Sequence, residues 1–115
     1  MTILNELGAG KVAKIAVDPG ICGLKSTVRV ESDDGQTCVV TVESDCEAIR
    51  ALALEIQTLD AYEVAFKSFA ENPVYLAAGR HYKHAACPVP SAIIKAVEVA
   101  AGLALPKNVS MIVEK

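Results

Sequence analysis

Three of the four cysteines in this 115-residue chain lie where secondary-structure elements are expected to begin. Cys22 lies in the turn sequence PGICG, and Cys46 and Cys87 each open a segment with helical spacing of apolar residues. The N-terminus of a helix favours a thiolate over a thiol, because its N–H groups are unpaired and the helix dipole is positive there. Since thiolates bind metals and act as nucleophiles, these positions predict metal binding or thiol chemistry.

The fourth cysteine has a different setting. Cys38 belongs to the segment QTCVVTVE, in which alternation places it on the same face as Val40 and Val42. A free thiol on such a face behaves as a small hydrophobic side chain. We therefore predict that Cys38 is buried and takes no part in the chemistry.

Other side chains could complete a site with the cysteines. His84 stands three residues before Cys87, and His81 three residues before His84, a spacing that could direct both imidazoles toward one edge. A neutral imidazole is a good fourth metal ligand, although a surface histidine is the commoner case. Asp45, beside Cys46, could bind a metal or cap the helix. The fourth position could also be open to water, a substrate thiol or another protomer, which leaves a homodimer as an option.

Composition limits the class of protein. A chain of 115 residues with 52% hydrophobic and 22% charged residues predicts one globular domain, residues 1–115, with a substantial core. The formal net charge is −3 and the sequence has no run of Lys or Arg. This pattern argues against binding to nucleic acid or to an anionic membrane surface.

The cellular compartment follows from the first residues and the cysteines. MTILNELGAG lacks the charged and apolar regions of a signal peptide, and no stretch of apolar residues is long enough to span a bilayer. The sequence therefore predicts a cytoplasmic protein. Structural disulfides are rare in that reducing compartment, so metal binding, thiol chemistry and packing remain as roles for the cysteines.

Three strands are predicted in the first half of the chain. Alternation of apolar and polar side chains places them at residues 11–17, 24–32 and 36–43. A three-residue loop at 33–35, with glycine in the left-handed position, would set Val30 opposite Cys38; a two-residue loop would shift the pairing by one residue. We prefer the three-residue loop.

The second half predicts helices and one more strand. Ser44 and Glu47 fit a capping box for a first helix, a second covers about residues 61–70, and Asn72-Pro73 breaks it. Residues 74–86 predict a short helical turn and a loop. The last helix begins at Cys87 or Pro88 and runs to about Gly102; it should be largely buried, because its few polar residues form one narrow stripe. The aromatic residues at 62, 66 and 69 are expected to pack, and residues 108–113 predict a closing strand.

These elements predict an α+β fold. The order β-β-β-α-α-α-β favours an antiparallel sheet of three to four strands with helices packed on one face. Such a sheet can bring a strand start and two helix starts to one edge. The three cysteines Cys22, Cys46 and Cys87 would then meet there.

The same residues resemble a known family. Cys22-Gly23 before a β-hairpin, Cys46 opening a helix, and Cys87 opening a helix that contains AIIKAVEVA resemble the IscU/NifU-type iron-sulfur cluster scaffold proteins, over Gly20 to Gly102. The resemblance implies an IscU-like fold and a [2Fe-2S] cluster or zinc ion held by these three cysteines. It also implies a cysteine desulfurase as sulfur donor and acceptor proteins that receive the cluster.

The chain departs from that family at defined positions. The family has an aspartate two residues after its first cysteine, where this chain has Leu24, and a histidine directly before its third, where this chain has Ala86. Its Leu-Pro-Pro-Val-Lys segment, which binds a chaperone, is missing from this sequence. The resemblance therefore does not extend to chaperone-assisted transfer.

Three functions follow as hypotheses. The first is a metal or iron-sulfur protein that acts as scaffold or carrier. The second is an enzyme of thiol or sulfur transfer with Cys87 or Cys46 as nucleophile, which a single dominant reactive thiol in metal-free protein would favour. The third is a small structural or interaction module, in which zinc would be lost only on unfolding.

Overall fold

A computed structural model describes residues 11–115 as a four-stranded antiparallel sheet and four helices. Along the chain the elements are β1 (Lys11–Val17), β2 (Ser26–Ser32), β3 (Thr37–Ser44), α1 (Glu47–Glu55), β4 (Thr58–Asp60), α2 (Ala61–Phe66), α3 (Pro73–His81) and α4 (Val89–Ala100). The predicted α+β class is confirmed. The predicted order is not, because the fourth strand follows the first helix instead of the third.

The sheet buries one face under the helices, as predicted. Its strands are ordered β1-β2-β3-β4, and every second residue of β2 is buried: Ser26, Val28, Val30 and Ser32. α4 packs on β1 and β2, whereas α1 packs on β3 and α3 lies against both helices. The alternation of apolar residues therefore predicts the buried face correctly.

The pairing of β2 with β3 differs from the prediction by two residues. Val30 lies opposite Val40, and Ser32 lies opposite Cys38. The turn is longer than three residues because the Asp34 carboxylate accepts hydrogen bonds from the backbone N–H groups of Gln36 and Thr37. A shift of two residues keeps every side chain on its predicted face.

The predicted closing strand at residues 108–113 is wrong. These residues are exposed and belong to no strand. The edge beside β3 is taken instead by β4, in which Leu59 is buried opposite Cys38. β4 reaches this edge because α1 ends at Glu55, after which the Gln57 carbonyl accepts a hydrogen bond from the Val40 N–H at 2.9 Å.

Two helix starts also differ from the prediction. Cys46 is the N-cap residue of α1, and the Ser44 hydroxyl accepts a hydrogen bond from the Cys46 N–H, so neither a Ser44–Glu47 capping box nor a cap by Asp45 forms. Asn72 caps α3, whose first residue is Pro73. The Asn-Pro pair therefore begins a helix of nine residues, as proline at a first helical position allows.

The last helix buries the face that the sequence predicts, whereas the aromatic residues at 62, 66 and 69 lie at the surface. α4 begins at Val89. It is largely buried, and the exposure of Ser91 and Lys95 agrees with the predicted polar stripe. The aromatic residues pack on one another at the surface: Tyr62 and Phe66 are exposed and stack at 6.1 Å, and the exposed Phe69 stacks on Tyr75 at 5.3 Å. α2 has only six residues, and its core contacts are made by Ala61 and Val64.

None of the helices in residues 11–115 is long and apolar enough to cross a membrane.

Three surface carboxylates are held in their charged form by hydrogen bonds. The backbone N–H of Gln36 lowers the pKa of Asp34, and the Gln36 side chain lowers the pKa of Asp60. Hydrogen bonds from Arg80, and then from His81, lower the pKa of Glu55. The first two carboxylates fix the β2–β3 turn and the start of α2, and the third joins α1 to α3.

We expect the stability of the protein to fall on acidification. Each of these pKa values is lower in the folded state than in the unfolded state, so the stabilisation is present above the ordinary carboxyl pKa of about 4 and is lost as the pH falls through the folded value. Urea unfolding between neutral pH and about pH 3 measures this loss. Asp34→Asn keeps an acceptor that does not titrate and should flatten the profile; an unfolding midpoint independent of pH would contradict the expectation.

Candidate functional site

One end of the sheet gathers the elements that carry Cys22 and Cys46. Val17, the last residue of β1, pairs with Ser26, the first residue of β2, and Ser26 pairs with Ser44, the last residue of β3. The loop between β1 and β2 therefore lies at the same end of the sheet as the start of α1. We call this the thiol end: residues 18–25, 45–46 and 87–88.

The direction of α4 brings Cys87 to the thiol end as well. A Cβ atom at Gly35, in the turn between β2 and β3, would lie 3.3 Å from the Ala101 carbonyl oxygen. α4 therefore finishes at the opposite end of the sheet, since Ala101 is its C-cap. It must begin at the thiol end, where Cys87 precedes it by two residues.

Cys46 and Cys87 both lie near Tyr82, which is itself half-buried. Both thiols are half-buried and pack against the core together with Tyr82. The Tyr82 hydroxyl is buried, and within the described residues it has no hydrogen-bond partner. Its pKa is raised well above the ordinary value, first by burial, then by the Cys87 thiol that faces it, and also by Cys46. We call these three residues the thiol–tyrosine cluster.

Hydrogen bonds from the backbone hold the two connections that carry Cys46 and Cys87. The Cys46 N–H donates to the Ser44 hydroxyl at 3.0 Å, and that hydroxyl also accepts a hydrogen bond from Ser26 at 2.7 Å. The Cys87 N–H donates to the His84 carbonyl at 3.0 Å, which closes the turn before α4. Both sulfurs therefore project from short, hydrogen-bonded connections.

Cys22 lies at the same end of the sheet but is exposed on its loop. The loop turns between Gly20 and Gly23, whose φ angles are +97° and +70°, and the Gly23 N–H donates to the Gly20 carbonyl at 3.0 Å. Within residues 11–115, no three His, Cys, Asp or Glu side chains are close enough to share a metal ion. In this conformation Cys46 and Cys87 both lie near Tyr82, and the predicted trio with Cys22 does not form one group within the described residues.

The remaining candidates have different surroundings. His84 is exposed and adjoins Cys87 through its carbonyl group. His81 instead lies 2.6 Å from the Glu55 carboxylate, at the end of α1. Asp45 is exposed.

Cys38 is fully buried in β3, as predicted. Burial raises the pKa of its thiol, and this opposes both ionisation and reaction. Of the four cysteines it is therefore the one suited only to packing.

Sequence reasoning missed Tyr82. It is the C-cap of α3, and its N–H donates to the Ala78 carbonyl at 3.0 Å. It lies in a segment whose periodicity favours a loop, and its place beside two cysteines depends on how α3, α1 and α4 pack. No local pattern in the sequence signals that arrangement.

Comparison with known proteins identifies a family. The sequence pattern of a family of unknown function, DUF6951, matches residues 13–113. The chain belongs to DUF6951. No curated protein and no solved structure matches the chain significantly.

The DUF6951 match includes all three residues of the thiol–tyrosine cluster, and also Cys22 and His84. Nothing in the DUF6951 description assigns an activity. The chemistry of this member must therefore be argued from its own thiols and their surroundings.

Proposed function

We propose that this protein binds a thiophilic metal ion or an iron-sulfur cluster at the thiol end and acts as its scaffold or carrier. Cys46 and Cys87 are the fixed ligands, and Cys22 is the third. The observation that carries the proposal is the pair of half-buried thiols around the buried Tyr82 hydroxyl, at the end of the sheet from which the Cys22 loop leaves.

The buried hydroxyl favours ionised sulfur nearby. The buried Tyr82 hydroxyl has no hydrogen-bond partner within the described residues. Because a buried polar group without a partner costs about 1–3 kcal/mol, an acceptor supplied by a neighbouring cysteine would stabilise the protein. A thiolate is a better acceptor than a thiol, and metal binding removes the thiol proton. Tyr82 would then donate to Cys87 and hold that sulfur in place.

The Cys22 loop must change conformation to deliver the third ligand. Cys22 and its neighbour Ile21 are exposed, so the turn between the two glycines can move without breaking core contacts. Glycine also tolerates the positive φ angles on which this turn depends. His84, exposed beside Cys87, is our candidate for the fourth ligand.

The resemblance to IscU/NifU-type scaffolds adds partners to this proposal. A cysteine desulfurase would supply sulfur in the cytoplasm, and acceptor proteins would receive the cluster. Both partners rest on the resemblance alone, whereas the ligand set also rests on the thiol end.

Serine variants test the ligand set. We expect anaerobically purified wild-type protein, reconstituted with Zn²⁺ or with iron and sulfide, to bind metal, because its thiolates supply the preferred ligands. Cys22→Ser, Cys46→Ser and Cys87→Ser should each weaken binding by at least about tenfold, since each loses one ligand. Metal and sulfide analysis, absorption spectra and competition with a coloured chelator measure the loss.

Cys38→Ser is the matched control, because Cys38 is buried in the sheet away from the cluster and should leave binding intact. Tyr82→Phe keeps the ring and all four thiols, and should lower metal affinity without changing stoichiometry. Wild-type protein that binds neither Zn²⁺ nor a cluster would overturn the proposal. Metal-free protein in which one cysteine alone reacts rapidly would favour thiol transfer instead.

A further inference from the structure

Residues 103–115 form an exposed segment after α4. They belong to no helix or strand, although three of their apolar side chains are largely exposed: Met111 at 78%, Ile112 at 85% and Val113 at 92%. Residues 105–115 make no backbone–backbone hydrogen bond with the part of the chain that the structure describes. An apolar, β-branched segment with free backbone groups has the properties of a strand that adds to the edge of a sheet. The family match extends through this segment to residue 113.

Within residues 11–115, one long edge of the sheet has no neighbouring strand. β1 is the outermost strand and, within residues 11–115, pairs only with β2. Its seven residues pair without a bulge and contain no proline. Natural edge strands are usually short or blocked, as the three-residue β4 is at the other edge. β1 carries Lys11 and Lys14, but it is long, and within residues 11–115 its outer side has no partner, so it is the edge to which a full strand can add.

The side chains of the exposed segment fit this edge. Alternation in an extended strand puts Val109, Met111 and Val113 on one face. On the helix side of the sheet they would continue the row that β1 directs toward the core: Ala13, Ile15 and Val17. Ile15 packs against the core but is only half-buried, so an added strand would cover its remaining surface.

The segment of a second copy is the occupant that the topology favours. α4 finishes beside Gly35, near the end of the sheet where β1 begins, yet residues 103–115 do not pair with the β1 edge of their own chain. A second copy presents the same segment and the same edge. Reciprocal exchange would pair both segments and close the assembly with two-fold symmetry.

We propose that residues 107–113 add as a strand to β1 of a second copy and form an exchanged dimer. This dimer is independent of the metal site. Proline cannot donate to a strand ladder, and one of any two adjacent residues directs its N–H toward the neighbouring strand. The double variant Met111→Pro/Ile112→Pro therefore blocks pairing in either register. It changes only exposed residues and should leave the fold intact.

The test compares full-length wild-type protein, the double variant and Lys115→Pro, a proline control outside the paired residues. Light scattering coupled to size exclusion gives the mass, and hydrogen exchange gives the protection of residues 11–17 and 107–113. We expect wild type and Lys115→Pro to be dimers with both segments protected, and the double variant to be a folded monomer that has lost this protection. A monomeric wild type, with the segment protected or unprotected, would overturn the proposal. A double variant that stays dimeric would do so as well.

Discussion

Leu52→Ala is expected to lower the free energy of unfolding by about 3 kcal/mol, within the range of about 2–5 kcal/mol found for buried leucines. Leu52 lies on the face of α1 that packs against β3 and is 0% exposed. Truncation removes three buried carbon atoms and leaves a cavity that the sheet and α3 can fill only in part. Urea unfolding, with the slope compared between variant and wild type, measures the loss.

Leu54→Ala is the matched control on the same helix. Leu54 is 72% exposed, so its truncation should change stability by less than about 0.5 kcal/mol. Equal losses in the two variants would show that α1 does not dock through Leu52. Because Cys46 is the N-cap of α1, the same comparison tests how the first ligand of the proposed metal site is anchored.

The first three strands and their buried faces could be predicted from the sequence because alternation is a local property. β1 spans its predicted residues, and Val28 and Val30 face the core as expected. The pairing register could not be predicted in the same way. It depends on the Asp34 side chain, which lengthens the turn by bonding to the backbone. A carboxylate in a loop gives no signal that separates this role from simple solvation.

β4 and α3 show how tertiary contacts decide short or ambiguous segments. Thr58–Asp60 is too short for a periodic signal, and it is a strand because Leu59 completes the core beside β3. An Asn-Pro pair such as Asn72-Pro73 can either end one helix or begin the next. Which of the two occurs depends on whether the following residues, including Val74, can be buried.

Some residues of the candidate site could also be predicted from the sequence, and others could not. Cys46 and Cys87 at helix starts could be identified from the sequence, because turn and capping signals mark such positions. Tyr82 could not, since its hydroxyl becomes important only where α3 meets the two cysteine-bearing connections. Cys22 lies on the loop at that end of the sheet, exposed in a turn between Gly20 and Gly23, whose conformation no local pattern in the sequence specifies.

Asn72→Ala should destabilise the protein by about 2–4 kcal/mol, because it removes a helix cap and leaves buried backbone groups without partners. Asn72 is only 3% exposed. Its side-chain oxygen accepts a hydrogen bond from the Val74 N–H at 3.0 Å, and its side-chain nitrogen donates to the Val64 carbonyl at 2.7 Å. One amide thus joins the start of α3 to α2, and alanine can replace neither contact.

Asn72→Ser separates the two contacts, because a serine hydroxyl can still cap Val74 but is too short to reach Val64. It should recover roughly 1 kcal/mol of the loss, the usual contribution of a helix cap. Asn108→Ala, at an exposed asparagine, should leave the unfolding midpoint unchanged. If Asn72→Ser were as unstable as Asn72→Ala, the Val64 contact would account for the whole effect. If all three variants matched wild type, the amide would not join the helices, and the position of Tyr82 at the far end of α3 would need another support.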